Sequence, residues 1–173
     1  MIIGNPYKFA IIVYPIKEWS SESLRNGVLL ISIDGKLFPN EIFTSTLDVE
    51  YINLKETLMN IPIDENLYNM KKDEAFKTIY NIVCPSDFNI ASDYRFDLSL
   101  ESINDHNHIF AVSNGESIRI MASMLYYNIG ESKHILANAN ISETFISIDE
   151  MNDIISQLKL NEGLIFNEKR NRI

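Results

Sequence analysis

Residues 109–122 read IFAVSNGESIRIMA, two apolar runs that flank an Asn-Gly pair. Asn and Gly adopt positive φ angles at low cost, so this pair is typical of the two-residue turn of a β-hairpin. A two-residue turn at Asn114-Gly115 predicts that Ala111 lies opposite Ile118. This hairpin is the strongest strand signal in the chain, and it predicts an antiparallel sheet.

Further strand signals lie on either side of this hairpin. A second turn at Asp34-Gly35 predicts that residues 28–33 pair with residues 36–39. Residues 9–14 and 141–146 are short β-branched runs that predict two more strands. Residues 94–100 alternate strictly, which predicts a strand with four core-facing side chains: Tyr94, Phe96, Leu98 and Leu100.

Helical spacing occurs in three places. Apolar residues recur at helical intervals from Tyr51 to Leu58 and again over about 72–83. Near the C-terminus, Ser147 and Glu150 form a capping box before an apolar helix face. The pattern predicts an α+β fold with a mainly antiparallel β-sheet built from hairpins and two or three helices packed on one face.

The chain of 173 residues predicts a single domain over residues 1–173, with a frayed tail after about residue 163. It contains 15 basic and 24 acidic side chains, a formal charge of −9. Such a field repels nucleic acid and attracts a basic protein partner. We therefore expect no nucleic-acid binding.

Cysteine usage and the N-terminal sequence bear on location. The only cysteine is Cys84, so no internal disulfide can form, which suits a reducing compartment. The first residues lack the pattern of a secretory signal, and no apolar run approaches the roughly 20 residues that span a bilayer. These features predict a cytoplasmic protein that does not bind a membrane.

No recognised catalytic motif occurs in the chain. Neither a G-x-S-x-G elbow nor a glycine-rich phosphate loop is present, so we expect no catalytic residue and no cofactor. His106 and His108 could face the same side of an extended segment, with Asp93 and Asp97 nearby. A small metal-dependent enzyme built on these side chains is therefore an alternative, although a metal site needs a third fixed ligand.

Other residues are candidates for contact with a protein partner. Trp19 lies in a predicted loop, where an aromatic side chain can anchor an interface. The polar side of the predicted strand 94–100 and its flanks form an acidic surface that could speed association with a basic partner. The predicted partner-binding residues are Trp19, Asp87, Asp93, Arg95, Asp97 and Glu101.

Several segments occur in an order that resembles a known family. They are IIGNPYKFAIIV (2–13), NGVLLISIDGKLFPNEIFTSTL (26–47), KKDEAFKTIYNIVCP (71–85), IFAVSNGESIRI (109–120) and ISIDEMNDIISQL (146–158). Together they resemble the Immunity protein 42 family of bacterial polymorphic toxin systems, over about residues 1–158. The resemblance implies a cytoplasmic protein without enzymatic activity that binds and neutralises a cognate toxin.

The resemblance assigns no site residues, because the family has no catalytic motif to carry over. An acidic inhibitor would suit a basic, nuclease-like toxin with a nucleic-acid-binding cleft. A regulatory module that binds a protein other than a toxin is a further alternative. The sequence does not give the oligomeric state.

Overall fold

The computed structural model describes residues 1–87, 89–100, 106–130 and 133–166. The predicted α+β class is confirmed: antiparallel sheets are combined with four α-helices within these residues. Three sheets are present in the described ranges, with five, three and two strands.

The first sheet is formed by strands from the N-terminal third. Its strands are β1 (Ile2–Asn5), β2 (Phe9–Pro15), β3 (Asn26–Ile33), β4 (Lys36–Phe38) and β5 (Ser45–Thr46). The predicted hairpin between β3 and β4 is confirmed, with Ile33 opposite Lys36. Asp34 and Gly35 both have positive φ, 51° and 74°, as a type I′ turn requires.

The second sheet contains the hairpin of residues 109–122. Its strands, in spatial order, are β10 (Ser142–Ser147), β7 (Ser117–Met124) and β6 (Asn107–Ser113). The predicted hairpin is present, but its register is wrong: Ala111 lies opposite Ile120, not Ile118.

The register differs because the turn begins one residue later than predicted. The side-chain Oδ1 of Asn114 accepts hydrogen bonds from the backbone N–H groups of Glu116 and Ser117, at 3.0 and 2.8 Å. The Asn114 N–H donates to the Ser117 carbonyl, so Gly115 and Glu116 are the central residues. Gly115 has a φ of 93°. A type II′ hairpin turn has a positive φ at its first central residue only, and glycine is preferred at that position.

The helices in the described residues are α1 (Leu47–Met59), α2 (Glu65–Asn69), α3 (Lys72–Val83) and α4 (Ile148–Phe166). α1, α3 and α4 lie close to the predicted positions, whereas α2 was not predicted. The capping box of α4 is confirmed, because the Ser147 N–H donates to Glu150 Oε2 and the Glu150 N–H donates to Ser147 Oγ. α4 continues past residue 163, and residues 167–173 lie outside the described part.

The helices are divided between two hydrophobic cores, because the second sheet is buried on both faces. Ile109, Ala111 and Ile120 belong to the core that the first sheet, α1 and α4 complete. Phe110 and Met121, which alternate with them, belong to a second core beneath α2 and α3. The helices therefore pack on two sides of the molecule instead of on one face.

The strand predicted over residues 94–100 is wrong. Residues Tyr94–Phe96 form a turn of 3₁₀ helix, because the Asp93 side chain accepts from the Arg95 N–H and caps that turn. The segment then meets β6 only at single points, such as the hydrogen bond from the Leu98 N–H to the Ile109 carbonyl.

The burial expected for this segment is partly correct. Phe96, Leu98 and Leu100 are buried as predicted, whereas Tyr94 is 66% exposed. The three apolar side chains are therefore buried in the core although the segment is not a regular strand.

A two-stranded ribbon completes the fold. Its strands, β8 (Tyr126–Asn128) and β9 (Lys133–Ile135), pair only with each other in the described residues. Neither strand was predicted from the sequence. A ribbon of this size has little stability of its own, so contacts with the rest of the domain must hold it.

Candidate functional site

A cleft of about 880 Å³ lies where α1, the end of α3, the segment 94–100, the start of β6 and the β8–β9 ribbon meet. We call it the histidine cleft, because all three histidines line it. Its described lining residues are Glu50, Asn53, Leu54, Glu56, Thr57, Tyr80, Val83, Cys84, Tyr94, Asp97, Leu98, Ser99, Leu100, His106, Asn107, His108, Tyr127 and His134.

The histidines form an aromatic cluster. The ring centroids of His108 and His134 are 4.7 Å apart, and those of His106 and His134 are 5.8 Å apart. The Tyr80 hydroxyl is 2.9 Å from His134 Nδ1. Burial raises the pKa of Tyr80 to about 12, so its hydroxyl remains protonated at neutral pH. The cluster fixes the ribbon strand β9 against α3.

The metal-site alternative finds no support in this cluster. In the described ranges, no group of three or more His, Cys, Asp or Glu side chains is placed to hold a metal ion. Asp97 lines the cleft with His106 and His108, but the Asp93 carboxylate is bound to the Arg95 guanidinium, with Oδ2 and Nη2 2.6 Å apart. His134 is the residue that joins the other two histidines, and it comes from β9.

Carboxylates give the histidine cleft a negative charge. Glu50, Glu56 and Asp97 line it, and no Lys or Arg occurs among its described lining residues. Burial raises the pKa of Asp97 above its ordinary value, although the Ser99 N–H donates to its Oδ1 at 2.8 Å. Cations on neighbouring segments are engaged elsewhere: Lys55 Nζ is 3.0 Å from Glu162 Oε2, and Arg95 binds Asp93.

A second cavity, of about 560 Å³, lies on the other side of the ribbon. We call it the apolar cavity, because most of its walls are hydrophobic. Its described lining residues are Lys36, Leu37, Phe38, Asn40, Asn107, Met124, Leu125, Tyr126, Ile135, Ala137, Asn138, Ala139, Asn140 and Ser142. Asn107 lines both cavities, so the two adjoin at the start of β6.

The structure describes five of the six residues predicted to bind a partner. Of these five, Asp97 alone lines the histidine cleft. Trp19 is 41% exposed in a 3₁₀ turn, where its carbonyl accepts a hydrogen bond from Asn26 Nδ2. Neither cavity has Trp19 in its described lining.

The acidic members of that set have local roles. Asp87 is exposed and accepts hydrogen bonds from the backbone N–H and Nδ2 of Asn89. Asp93 and Arg95 neutralise each other, and this contact lowers the pKa of the Asp93 carboxyl. Glu101 lies outside the described residues. The role of these residues in binding stays a prediction.

The ribbon residues that separate the cavities were not predicted from the sequence. Tyr126 and Tyr127 follow β7 directly, and strands of three residues are too short to show alternation. The available signal was the paired tyrosines before Asn128 and Gly130, since Asn and Gly are typical of a turn between two short strands.

Known proteins resemble this chain in sequence and in fold. The family model described as Immunity protein 42 matches residues 1–161. A solved structure described as CdiI from Burkholderia dolosa AUO158 has the same fold, with a TM-score of 0.73 and 24% sequence identity. The match covers 93% of this chain and 99% of that chain. No curated protein sequence matches significantly. Within the described residues, no helix combines the length and apolar character needed to cross a membrane.

Proposed function

Since this chain belongs to the Immunity protein 42 family and is therefore a toxin-neutralising protein, we propose that it acts by stoichiometric binding to its cognate toxin. The observation that carries this proposal is the family match over residues 1–161, almost the whole chain of 173 residues. Neutralisation by binding requires a surface complementary to the toxin and no chemical step.

We propose that the protein is not an enzyme. The sequence supports this because it lacks recognised catalytic motifs. The histidines of that cleft pack against one another and against Tyr80, an arrangement that orders the ribbon. These features fit a binding surface better than a catalytic site.

The proposed partner is a basic toxin, of which a nuclease is the example that best fits the charge. The formal charge of −9 would steer such a toxin toward this chain over distances comparable to the Debye length, about 8 Å at physiological salt. A basic active-site cleft covered by an acidic protein cannot reach its own substrate. We place this encounter in the cytoplasm, where a chain with a single cysteine meets no oxidising folding machinery.

Co-expression tests the proposed function. A toxin domain encoded beside this gene, identified by its arrest of a sensitive host's growth, is expressed there alone or with the wild-type chain, and surviving colonies are counted. We expect the wild-type chain to restore growth. A well-expressed, folded chain that gives no protection would contradict the proposal.

A second arm separates binding from metal chemistry. The chain is purified with and without a chelator, and its binding to the same toxin domain is measured. We expect equal affinity, because no step depends on a metal. A loss of binding after chelation, restored by metal, would favour the metal-dependent alternative at His106 and His108.

A further inference from the structure

The β8–β9 ribbon and the two cavities beside it form one continuous face, which we call the ribbon face. We propose that the toxin docks on the ribbon face, with exposed ribbon side chains as anchors and a basic toxin side chain in the histidine cleft. This inference rests on the proposed function and names the surface that performs it.

The two sides of the ribbon line different cavities. Tyr127 pairs with His134, and both line the histidine cleft. Tyr126 pairs with Ile135, and both line the apolar cavity. Because successive side chains of a strand point to opposite faces, the ribbon is a wall with one cavity on each side. A partner that covers the ribbon therefore reaches both cavities at once.

The ribbon exposes large apolar side chains in one place. Tyr126 is 75% exposed, Ile129 at its tip is 85% exposed, and Tyr127, Ile135 and Met124 are each more than 40% exposed. Exposed apolar side chains clustered in this way are typical of protein-binding surfaces. Tyrosine is enriched among the residues that dominate binding energy, since it buries a large area with few rotatable bonds.

Charge identifies the chemistry of the partner. The described lining of the histidine cleft includes Glu50, Glu56 and Asp97 but no cation, so a Lys or Arg side chain would find complementary charge there. The exposed rings of Tyr94 and Tyr127 at the same cleft can contact that cation through their faces. The described lining of the apolar cavity contains Lys36 and no carboxylate, so this cavity does not attract a cation, and its hydrophobic walls suit an apolar toxin side chain.

A buried acceptor lies at the junction of the two cavities. Asn107 is 8% exposed, and its Oδ1 has no hydrogen-bond partner in the described part of the chain. A buried acceptor without a donor is unfavourable, so an N–H group brought in by the partner would stabilise it. A basic or amide side chain supplies such a donor.

The ribbon is held in position before binding. The Leu125 N–H donates to the His106 carbonyl at 2.7 Å, and the Tyr80 hydroxyl meets His134 Nδ1. A face that is already ordered loses little conformational entropy when it binds. The histidine cluster thus has a role in presenting the ribbon.

Matched alanine pairs test the ribbon face. The ribbon variant is Tyr126→Ala with Ile129→Ala, and its control is Ile63→Ala with Leu160→Ala, a pair of similar exposure, 73% and 80%, on other elements. Affinity for the toxin domain encoded beside the gene is measured by biolayer interferometry. We expect the ribbon variant to raise Kd at least about tenfold and the control to stay within about twofold.

The charge is tested by Glu56→Gln against Glu116→Gln, an exposed glutamate in the turn at the far end of the second sheet. We expect only Glu56→Gln to lower the association rate, by about twofold or more at low salt. Circular dichroism confirms that every variant is folded, because all the substituted side chains are exposed.

The outcomes separate the inference from the proposed function. Wild-type binding that the ribbon variant leaves within about twofold, or that the control variant weakens equally, overturns the ribbon face as the docking surface. Absence of binding by the wild-type chain itself contradicts the proposed function, and the inference with it.

Discussion

Single hydroxyl and carboxyl groups link the packing of this domain to pH. Tyr51 is fully buried on α1, and its hydroxyl donates to the Leu158 carbonyl of α4 at 2.7 Å. Burial raises the pKa of Tyr51 to about 12, while an unfolded tyrosine titrates near 10. The unfolded chain therefore loses this proton first, and stability falls as the pH rises from about 10 to 12.

Tyr51→Phe should remove both effects. We expect it to lower the free energy of unfolding at pH 7 by about 1 kcal/mol, because the hydrogen bond is lost. It should also reduce the loss of stability between pH 10 and 12. Urea unfolding at pH 7 and pH 11 measures this, with Tyr126→Phe on the exposed ribbon as the control. An unchanged stability would contradict the role given to the α1–α4 hydrogen bond.

Asp97 gives a dependence of the same direction, but at acid pH. Its pKa is raised by burial above the ordinary 3.8, so stability falls as the pH rises through the folded value, and the penalty remains at neutral pH. Asp97→Asn keeps an acceptor for the Ser99 N–H and removes the charge. We therefore expect a higher melting temperature at pH 7 and no gain below pH 3.8, the unfolded value.

The control for Asp97 is its neighbour Asp93, whose pKa is lowered by the Arg95 guanidinium. Asp93→Asn should not raise the melting temperature at pH 7, because the folded state favours the Asp93 carboxylate. Equal melting temperatures for wild type and Asp97→Asn at pH 7 would contradict the burial of Asp97.

At the scale of elements, one arginine joins α2 to the second sheet. Arg119 on β7 is 3% exposed, and its Nη2 is 2.6 Å from Glu143 Oε1 on β10. Its Nη1 donates to the Leu67, Tyr68 and Met70 carbonyls at 3.3, 2.8 and 2.7 Å. The C-terminal end of α2 is thereby capped by a side chain from the sheet.

Arg119→Met should detach α2 and leave those carbonyls without a donor. We expect a loss of about 3–5 kcal/mol in the free energy of unfolding, as is usual when one partner of a buried ion pair is removed. Glu143→Gln should cost less, because the contacts of Arg119 with α2 remain. Guanidinium unfolding of both variants measures this, and equal losses would contradict the capping role of Arg119.

Helices and strands were predicted well where the local sequence pattern and the tertiary packing favour the same structure. α3 begins at Lys72 and ends at Val83, as its apolar stripe and Pro85 predicted. The hairpin at residues 109–122 was predicted, but its register was not. In the turn, the Asn114 side-chain oxygen accepts the hydrogen bond of the Ser117 N–H in place of a backbone carbonyl. Such a choice depends on hydrogen bonds that spacing alone does not show.

The candidate site was harder to predict from the sequence than the helices and strands were. His106 and His108 were identified, but His134 and the ribbon tyrosines join them through pairings between distant segments. Asp97 was expected on a solvated strand face and instead lines the histidine cleft beside residues of α1. Clefts form where elements meet, so their composition follows from tertiary packing.

At the scale of the whole molecule, the second sheet separates two hydrophobic cores. The first sheet, α1 and α4 complete one core, while α2 and α3 complete the other. The β8–β9 ribbon contributes few buried side chains and exposes its tyrosines. The chain carries a formal charge of −9, so charge can steer the encounter while the exposed apolar side chains of the ribbon hold the complex.

The most direct test of stoichiometric binding is a titration of toxin activity. A fixed concentration of the toxin domain encoded beside the gene is incubated with increasing amounts of purified wild-type chain, and residual toxin activity is followed over time. We predict that activity falls linearly, reaches zero at a fixed molar ratio and does not change with longer incubation. Complete neutralisation by a small fraction of an equivalent, progressing with time, would show turnover and contradict the account.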